Sequence, residues 1–179
     1  RKGAFICRSD SGRRHWRLEG PHYLGNVVNH MIVDPRDEKT ILMGARTGHL
    51  GPTVFRSSDT GRTWTEATQP PAFPKTDDAD KGRAVENVIW LTPDHPSRPG
   101  CWWASTSPAG LFHSEDGGAS WRGVAGFNDR LLVETIAAAV NPVPGTGGSG
   151  MNSSAHSPIV DPDDARHIYV SISVAGTFE

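Results

Sequence analysis

Short apolar runs alternate with turn-forming residues along the chain. Three of these runs lead into a proline-containing turn, "HMIVDP" at 30–35, "VIWLTP" at 88–93 and "SPIVDP" at 157–162. Each is followed by a second short run, "TILMGA", "CWWAST" or "HIYVSI", rich in the β-branched and aromatic residues that suit strands. No segment keeps a sustained 3.6-residue spacing of apolar positions, and "RLLVETIAAAV" at 130–140 is the single helix candidate. The pattern therefore predicts an almost entirely β structure.

A polar hairpin signal recurs between these runs. It reads "SSDTGRTW" at 57–64 and "SEDGGASW" at 114–121, and it returns in degenerate form as "SDSGRRHW" at 9–16. Together with the apolar runs it defines a unit of strand, proline turn, strand, loop, strand, Asp/Gly turn and strand. A repeat of roughly 50 to 70 residues made only of short strands is typical of a β-propeller built from four-stranded antiparallel blades.

Each residue type in the hairpin signal has a local structural role. The aspartates can accept hydrogen bonds from the turn's own N–H groups, the glycines can take the positive φ of a tight hairpin, and the hydroxyls can cap remaining donors. The tryptophans carry a large apolar area that can wedge between blades. We therefore predict a structural role, not a catalytic one, for Ser57, Asp59, Gly61, Thr63, Trp64, Ser114, Asp116, Gly118, Ser120 and Trp121.

The repeat divides the chain into parts of one partial propeller domain covering 1–179. The predicted parts are the end of one blade at 1–26, a blade at 27–85, a blade with a long loop at 86–154 and the start of a further blade at 155–179. This amounts to about three blades, whereas propellers usually have four to eight. We expect a six- or seven-bladed ring, completed either by further sequence or by a second copy of the chain.

Composition narrows the partner classes. With 18 basic and 20 acidic residues in 179, the chain lacks the excess of positive charge that is typical of proteins binding nucleic acid or an anionic membrane surface. No apolar run approaches the roughly 20 residues that cross a bilayer. Cys7 and Cys101 lack C-x-x-C spacing, and the histidines show no H-x-H or H-E-x-x-H pattern. We therefore expect two reduced cysteines, no metal site, no cofactor and a cytoplasmic location.

Alternating strand directions place the candidate functional residues on one face. The proline turns and Asp/Gly hairpins should share one face, while the long, varied loops share the other, where function tends to lie. We nominate Glu86 and Asp129 as a catalytic carboxylate pair, because a desolvated carboxylate can act as a general acid or base. The candidate substrate-binding residues are Arg46, His49, Lys81 and Arg83. The arginines can clamp a carboxylate in two-pronged fashion, but loop arginines are more often solvated or in surface ion pairs.

The hairpin signal resembles the Asp box, or bacterial neuraminidase repeat, found in sialidases, sortilin-type receptors, some xyloglucan-cleaving hydrolases and photosystem assembly factors. The longer phrases "GNVVNHMIVDPRD", "ARTGHLGPTVFRSSDTGRTW" and "KGRAVENVIWLTP" resemble bacterial exo-sialidase-like and BNR-repeat glycosyl hydrolases. The resemblance implies a β-propeller acting on a carbohydrate ligand at the long-loop face.

The catalytic site of known sialidases is not found in the sequence. There is no Arg-Ile-Pro motif, and Tyr23 and Tyr169 have no convincing glutamate partner. Two interpretations stay open on this evidence. One is a glycoside hydrolase with its site on the long-loop face; the other is a non-catalytic propeller that binds a glycan, peptide or protein, or serves as an assembly factor.

Overall fold

A computed structural model of the chain describes residues 2–48, 51–75, 83–129, 154–173 and 176–179. Its regular elements form four antiparallel sheets that follow one another along the chain. Sheet I contains β1 (Ala4–Ser9) and β2 (Trp16–His22); sheet II contains β3 (Val27–Val33), β4 (Ile41–Thr47), β5 (Gly51–Ser57) and β6 (Thr65–Glu66). Sheet III contains β7 (Asn87–Pro93), β8 (Trp102–Ser107), β9 (Gly110–Ser114) and β10 (Arg122–Gly123); sheet IV contains β11 (Ala155–Val160), β12 (Ile168–Ile172) and β13 (Gly176–Phe178).

The predicted all-β fold of four-stranded antiparallel blades is confirmed. Sheets II and III are complete four-stranded meanders in chain order, and each third strand leads through an Asp/Gly hairpin to its short fourth strand. One short helix, α1 (Ala125–Asn128), lies within the described residues. The helix candidate at 130–140 lies outside them. The division of the chain at 26, 85 and 154, and the number of blades in a complete ring, stay predictions.

The register of the first two strands of each sheet shows which turn residues are equivalent. Val33 pairs with Ile41, Pro93 with Trp102 and Val160 with Ile168, so Pro93 is the last residue of a strand, whereas Pro35 and Pro162 lie in turns. The equivalent turn residue is an aspartate, because in each sheet its N–H closes the turn onto the residue before the second strand. These bonds are Asp34 N to Thr40 O (2.7 Å), Asp94 N to Cys101 O (3.0 Å) and Asp161 N to His167 O (3.0 Å).

Apolar side chains fill the spaces between neighbouring sheets. Between sheets II and III the buried cluster is built around Leu42, Val54, Val88, Trp102 and Phe112, and Trp121 of the second hairpin belongs to it. Smaller clusters lie between sheets I and II, around Met43 and Phe55, and between sheets III and IV, around Leu111 and Val170. Burial of this apolar area contributes roughly 25 cal/mol per Å² and holds the sheets face to face.

The backbones of sheets II and III approach closely at Gly44. A Cβ added at this residue would lie 2.9 Å from Val88 Cγ1. Polar contacts cross the same interface, since Asn29 Nδ2 donates to Val88 O (3.2 Å). The first strands of the two sheets, β3 and β7, are therefore neighbours, and the loops that precede them lie at the same end.

Within the described ranges, the helical content is limited to one four-residue turn, and no helix there is long and apolar enough to span a membrane.

Candidate functional site

The predicted long-loop face is the end of the sheets at which β3, β7 and β11 begin. Arg46, near the end of β4, pairs with Val27 at the start of β3, and its side chain is exposed. Glu86 directly precedes β7, and its N–H donates to Ser107 O (2.7 Å) at the end of β8. The topology therefore brings Arg46 and Glu86 to one face of the molecule. His49 and Lys81 lie outside the described residues.

Arg83 ties three segments of this face together. Its guanidinium donates from Nη2 to Ala109 O (2.5 Å) in the β8–β9 turn and from Nη1 to Asn128 O (3.0 Å) at the end of α1. The same group lies 4.1 Å from the centroid of the Phe73 ring. Much of its hydrogen-bonding capacity is thus directed at the backbone, so the residue supports the loops of the face.

Asn128 continues the strand pairing beyond β10. Its Oδ1 accepts from Leu111 N (2.9 Å) and its Nδ2 donates to Leu111 O (2.9 Å), so the buried amide pairs with both polar groups of Leu111, as a backbone partner in a sheet would. Asp129 follows directly, exposed to solvent. Because Arg83 bonds the carbonyl of Asn128, the structure places Arg83 and Asp129 in the same small region.

Glu86 and Asp129 are both exposed carboxylates. Exposed carboxylates accept hydrogen bonds from sugar hydroxyls readily, whereas a general acid usually works in a water-poor setting. Their assignment as a catalytic pair stays a prediction. The described part of this face presents a polar surface that includes the exposed Arg46 side chain and these two exposed carboxylates.

The aspartate carboxylates of the two Asp/Gly hairpins, on the opposite face, are occupied by their own turns. Asp59 accepts hydrogen bonds from Thr63 N (2.9 Å), Thr63 Oγ1 (2.7 Å) and Ser57 Oγ (2.7 Å), and these bonds hold its pKa far below its ordinary value. Asp116 accepts equivalent bonds from Ser120 N (2.9 Å) and Ser114 Oγ (2.8 Å). Burial alone would raise the pKa of Asp116, but these bonds outweigh it and lower the pKa. Such carboxylates serve as caps of their hairpins.

The tryptophans that end these hairpins differ in burial. Trp121 is 6% exposed, and its Nε1 donates to Gly118 O (3.0 Å). Trp64 is partly buried against the cluster between sheets I and II. Trp16, at the end of the degenerate hairpin, is 62% exposed. In both complete copies the tryptophan packs against the preceding sheet, which is how the hairpin stabilises neighbouring blades.

Sequence reasoning missed a cluster of metal-ligating residue types on the face that carries the Asp/Gly hairpins. Asp94, Cys101 and His113 each place one ligand atom within 4.8 Å of the other two. The three residues come from a turn, the residue before β8 and the next-to-last residue of β9, so they share no spacing motif. Only the pairing of the strands brings them together.

Similar proteins were found at the level of sequence and fold. No protein-family model matches the chain. A xyloglucanase from a Paenibacillus species is 29% identical over 174 residues, covering 82% of this chain and 17% of the relative. A probable oligoxyloglucan-reducing end-specific xyloglucanase from Neosartorya fischeri is 29% identical over 154 residues, covering 79% of this chain and 17% of that protein. The chain thus spans about a sixth of the length of these curated relatives.

Solved structures share the fold. A GH74 xyloglucanase from Xanthomonas campestris superposes with a TM-score of 0.56 at 19% identity, covering 94% of this chain and 22% of that one. A GH74 enzyme from Niastella koreensis superposes with a TM-score of 0.53 at 21% identity, covering 82% of this chain and 19% of that one. The chain therefore has the β-propeller fold of these enzymes, with sheets II and III as complete four-stranded blades.

Proposed function

We propose that this chain forms part of the β-propeller of a glycoside hydrolase that acts on a xyloglucan-type polysaccharide. The observation that carries the proposal is the 29% identity to a xyloglucanase over 174 residues, which extends across most of the chain. The fold shared with GH74 xyloglucanases supports it. A sialidase-like activity, which the Asp-box resemblance implied, has less support, because these relatives are named for xyloglucan.

A neutral polysaccharide suits the chemistry of the long-loop face. Sialic and uronic acids carry a carboxylate that an arginine pair must clamp, and Arg83 donates to backbone carbonyls instead. The exposed carboxylates of Glu86 and Asp129 can accept hydrogen bonds from sugar hydroxyls, and the Arg46 guanidinium can donate them. In this proposal the face holds a segment of a glucan chain, and Arg83 keeps the loops in place.

The test is binding of the chain to xyloglucan. The measurement is isothermal titration calorimetry with xyloglucan oligosaccharides, with sialyllactose as the comparison ligand. We expect binding to xyloglucan only, weakened at least tenfold by Glu86→Gln or Asp129→Asn, since a hydrogen bond to a charged group contributes about 1.5 to 3 kcal/mol. Glu38→Gln, which changes an exposed glutamate in the turn after β3 on the opposite face, should bind like the parent.

Two results would overturn the proposal. One is sialyllactose binding in place of xyloglucan binding. The other is xyloglucan binding that Glu86→Gln and Asp129→Asn leave unchanged, which would place the glycan elsewhere on the chain.

A non-catalytic glycan-binding role is the second candidate. The exposure of both Glu86 and Asp129 favours it, because a general acid usually works in a water-poor setting. Release of reducing ends from xyloglucan by the chain separates the two candidates. Release that disappears in Glu86→Gln supports catalysis by this face, whereas binding without release supports the binding role.

A further inference from the structure

Three different metal-ligating side chains converge at the Asp-box end of sheet III. The Asp94 carboxylate, the Cys101 thiol and the His113 imidazole each contribute one atom to a group whose members all lie within 4.8 Å of one another. The Asp94 side chain is completely buried, and the His113 side chain is 18% exposed. Oxygen, sulfur and nitrogen ligands in one site are a set that Zn²⁺ accepts in proteins.

The buried carboxylate is already oriented for this role. His95 N donates to Asp94 Oδ1 (2.7 Å), which leaves Oδ2 directed at His113 Nε2, 2.9 Å away. Ligand atoms bound to one zinc at about 2.0 to 2.3 Å lie about 3 to 4 Å apart. The three atoms therefore need only small movements to reach a common ion.

The internal repeat gives an independent reason to single out this cluster. In sheet II the equivalent positions are Asp34, Thr40 and Arg56. The register fixes the equivalence, because Thr40 and Cys101 accept the N–H of the turn aspartate, while Arg56 and His113 directly precede the paired Ser57 and Ser114. Sheet III thus keeps the aspartate and replaces a threonine and an arginine by two zinc ligands. Neither replaced residue type is a usual zinc ligand, and an arginine would repel the ion.

An open cavity adjoins Asp94, one of the three residues. Its volume is about 260 Å³, and Arg98 and Trp103 also line it. Arg98 Nη1 lies 3.7 Å from Asp94 Oδ2 on a side chain that is 44% exposed, so it can swing into solvent when a cation takes its place. Zinc sites with three protein ligands usually complete their coordination with water.

We propose that Asp94, Cys101 and His113 form a Zn²⁺ site with its fourth position open to water. The ion links the β7–β8 turn to β9 and so stabilises the end of sheet III that carries the Asp/Gly hairpin. Binding converts the Cys101 thiol to a thiolate and releases its proton to solvent, while the neutral His113 ring carries its proton on Nδ1 and binds through Nε2. This site is independent of the proposed glycan face.

Zinc binding is measured by competition with a chromophoric chelator, and Co²⁺ serves as a spectroscopic substitute. We expect one Zn²⁺ per chain and a sulfur-to-cobalt charge-transfer band in the Co²⁺ complex. Cys101→Thr and His113→Arg install the residues of sheet II, and each should weaken Zn²⁺ binding at least tenfold. Cys101→Thr should also abolish the band. Cys7→Ser, at an exposed cysteine of sheet I, should change neither result.

A second measurement needs no substitution at the site. Zn²⁺ should slow alkylation of Cys101 by iodoacetamide in the folded chain and leave alkylation of the exposed Cys7 unchanged, as mass mapping can show. The proposal is overturned if Zn²⁺ fails to protect Cys101, if the Co²⁺ complex lacks a thiolate band, or if folded Cys101→Thr binds Zn²⁺ like the parent chain.

Discussion

The imidazole of His30 stacks on the indole of Trp90, with the ring centroids 4.0 Å apart and the planes inclined by 26°. His30 belongs to β3 and Trp90 to β7, so the stack joins two neighbouring blades. The Leu91 N–H donates to His30 Nδ1 (3.2 Å), which requires a neutral ring with its proton on Nε2. Burial also disfavours the charged ring and lowers the pKa of His30.

We therefore predict that stability falls when the solution is acidified below the ordinary histidine pKa of about 6.5. In this range the unfolded chain binds a proton at His30 that the folded chain resists. The His30 contribution is thus fully present at higher pH and is lost as the pH drops. Thermal unfolding at pH 7.5, 6.5 and 5.5 should show a decreasing midpoint.

The matched variant is His30→Asn, whose side-chain oxygen can replace Nδ1 as acceptor for Leu91 N–H without titrating. This variant should lose part of the decrease between pH 7.5 and 5.5. An unchanged pH dependence in His30→Asn would assign the effect to other histidines and contradict the prediction.

The aspartate carboxylates of the two complete Asp/Gly hairpins should contribute more to stability than the carboxylate of the degenerate hairpin. Asp116 accepts bonds from Ser120 N (2.9 Å), Ser120 Oγ (2.6 Å) and Ser114 Oγ (2.8 Å), whereas Asp10 accepts a bond from Arg14 N (2.9 Å) on an exposed turn. Asp116→Ala should lower the free energy of unfolding by about 1 to 3 kcal/mol, and Asp10→Ala by less than about 1 kcal/mol. Urea titration measures both, and equal losses would contradict the assigned role of the hairpin.

The same hairpins show why the fold could be predicted from sequence and the sites only in part. The residues from Ser114 to Trp121 form their hydrogen bonds within eight positions, so a short sequence motif is enough to predict the hairpin. Proline is conspicuous in the sequence of all three turns, but its position varies, whereas the shared contact is the aspartate N–H, as in Asp94 bonded to Cys101. Arg83 and His113 contact residues that are distant in the sequence, so no local sequence spacing predicts these contacts.

The close contact between Gly44 and Val88 leaves no room for a larger side chain at residue 44. A Cβ at Gly44 would lie 2.9 Å from Val88 Cγ1 and 3.1 Å from Val88 O, so Gly44→Ala should force sheets II and III apart. We expect a loss of about 1 to 3 kcal/mol in the free energy of unfolding, typical of overpacking. Gly126→Ala, in α1 with no atom within 4 Å of the new Cβ, is the control and should be neutral or slightly stabilising. Similar unfolding curves for the two variants would contradict this description of the interface.

Arg36 links the turn of one blade to that of the next. Its Nε and Nη2 donate to the two carboxylate oxygens of Asp34 (2.8 Å each), and its Nη1 donates to the carbonyl of Arg98 (3.0 Å) in the neighbouring turn. The guanidinium also lies 5.1 Å from the centroid of the Trp102 ring. A lysine keeps the charge but loses the paired geometry and the planar stacking surface.

Arg36→Lys should therefore destabilise the chain by about 1 to 3 kcal/mol, because the lost bonds are largely shielded from water. Arg166→Lys is the matched comparison, since Arg166 makes the same paired contact with Asp164 (3.0 and 2.8 Å) on a side chain that is 81% exposed. Exposed ion pairs contribute about 0 to 1 kcal/mol, so this variant should unfold almost like the parent. Equal effects in thermal unfolding would mean that the pairing with aspartate, and not the link between blades, accounts for the stability that Arg36 provides.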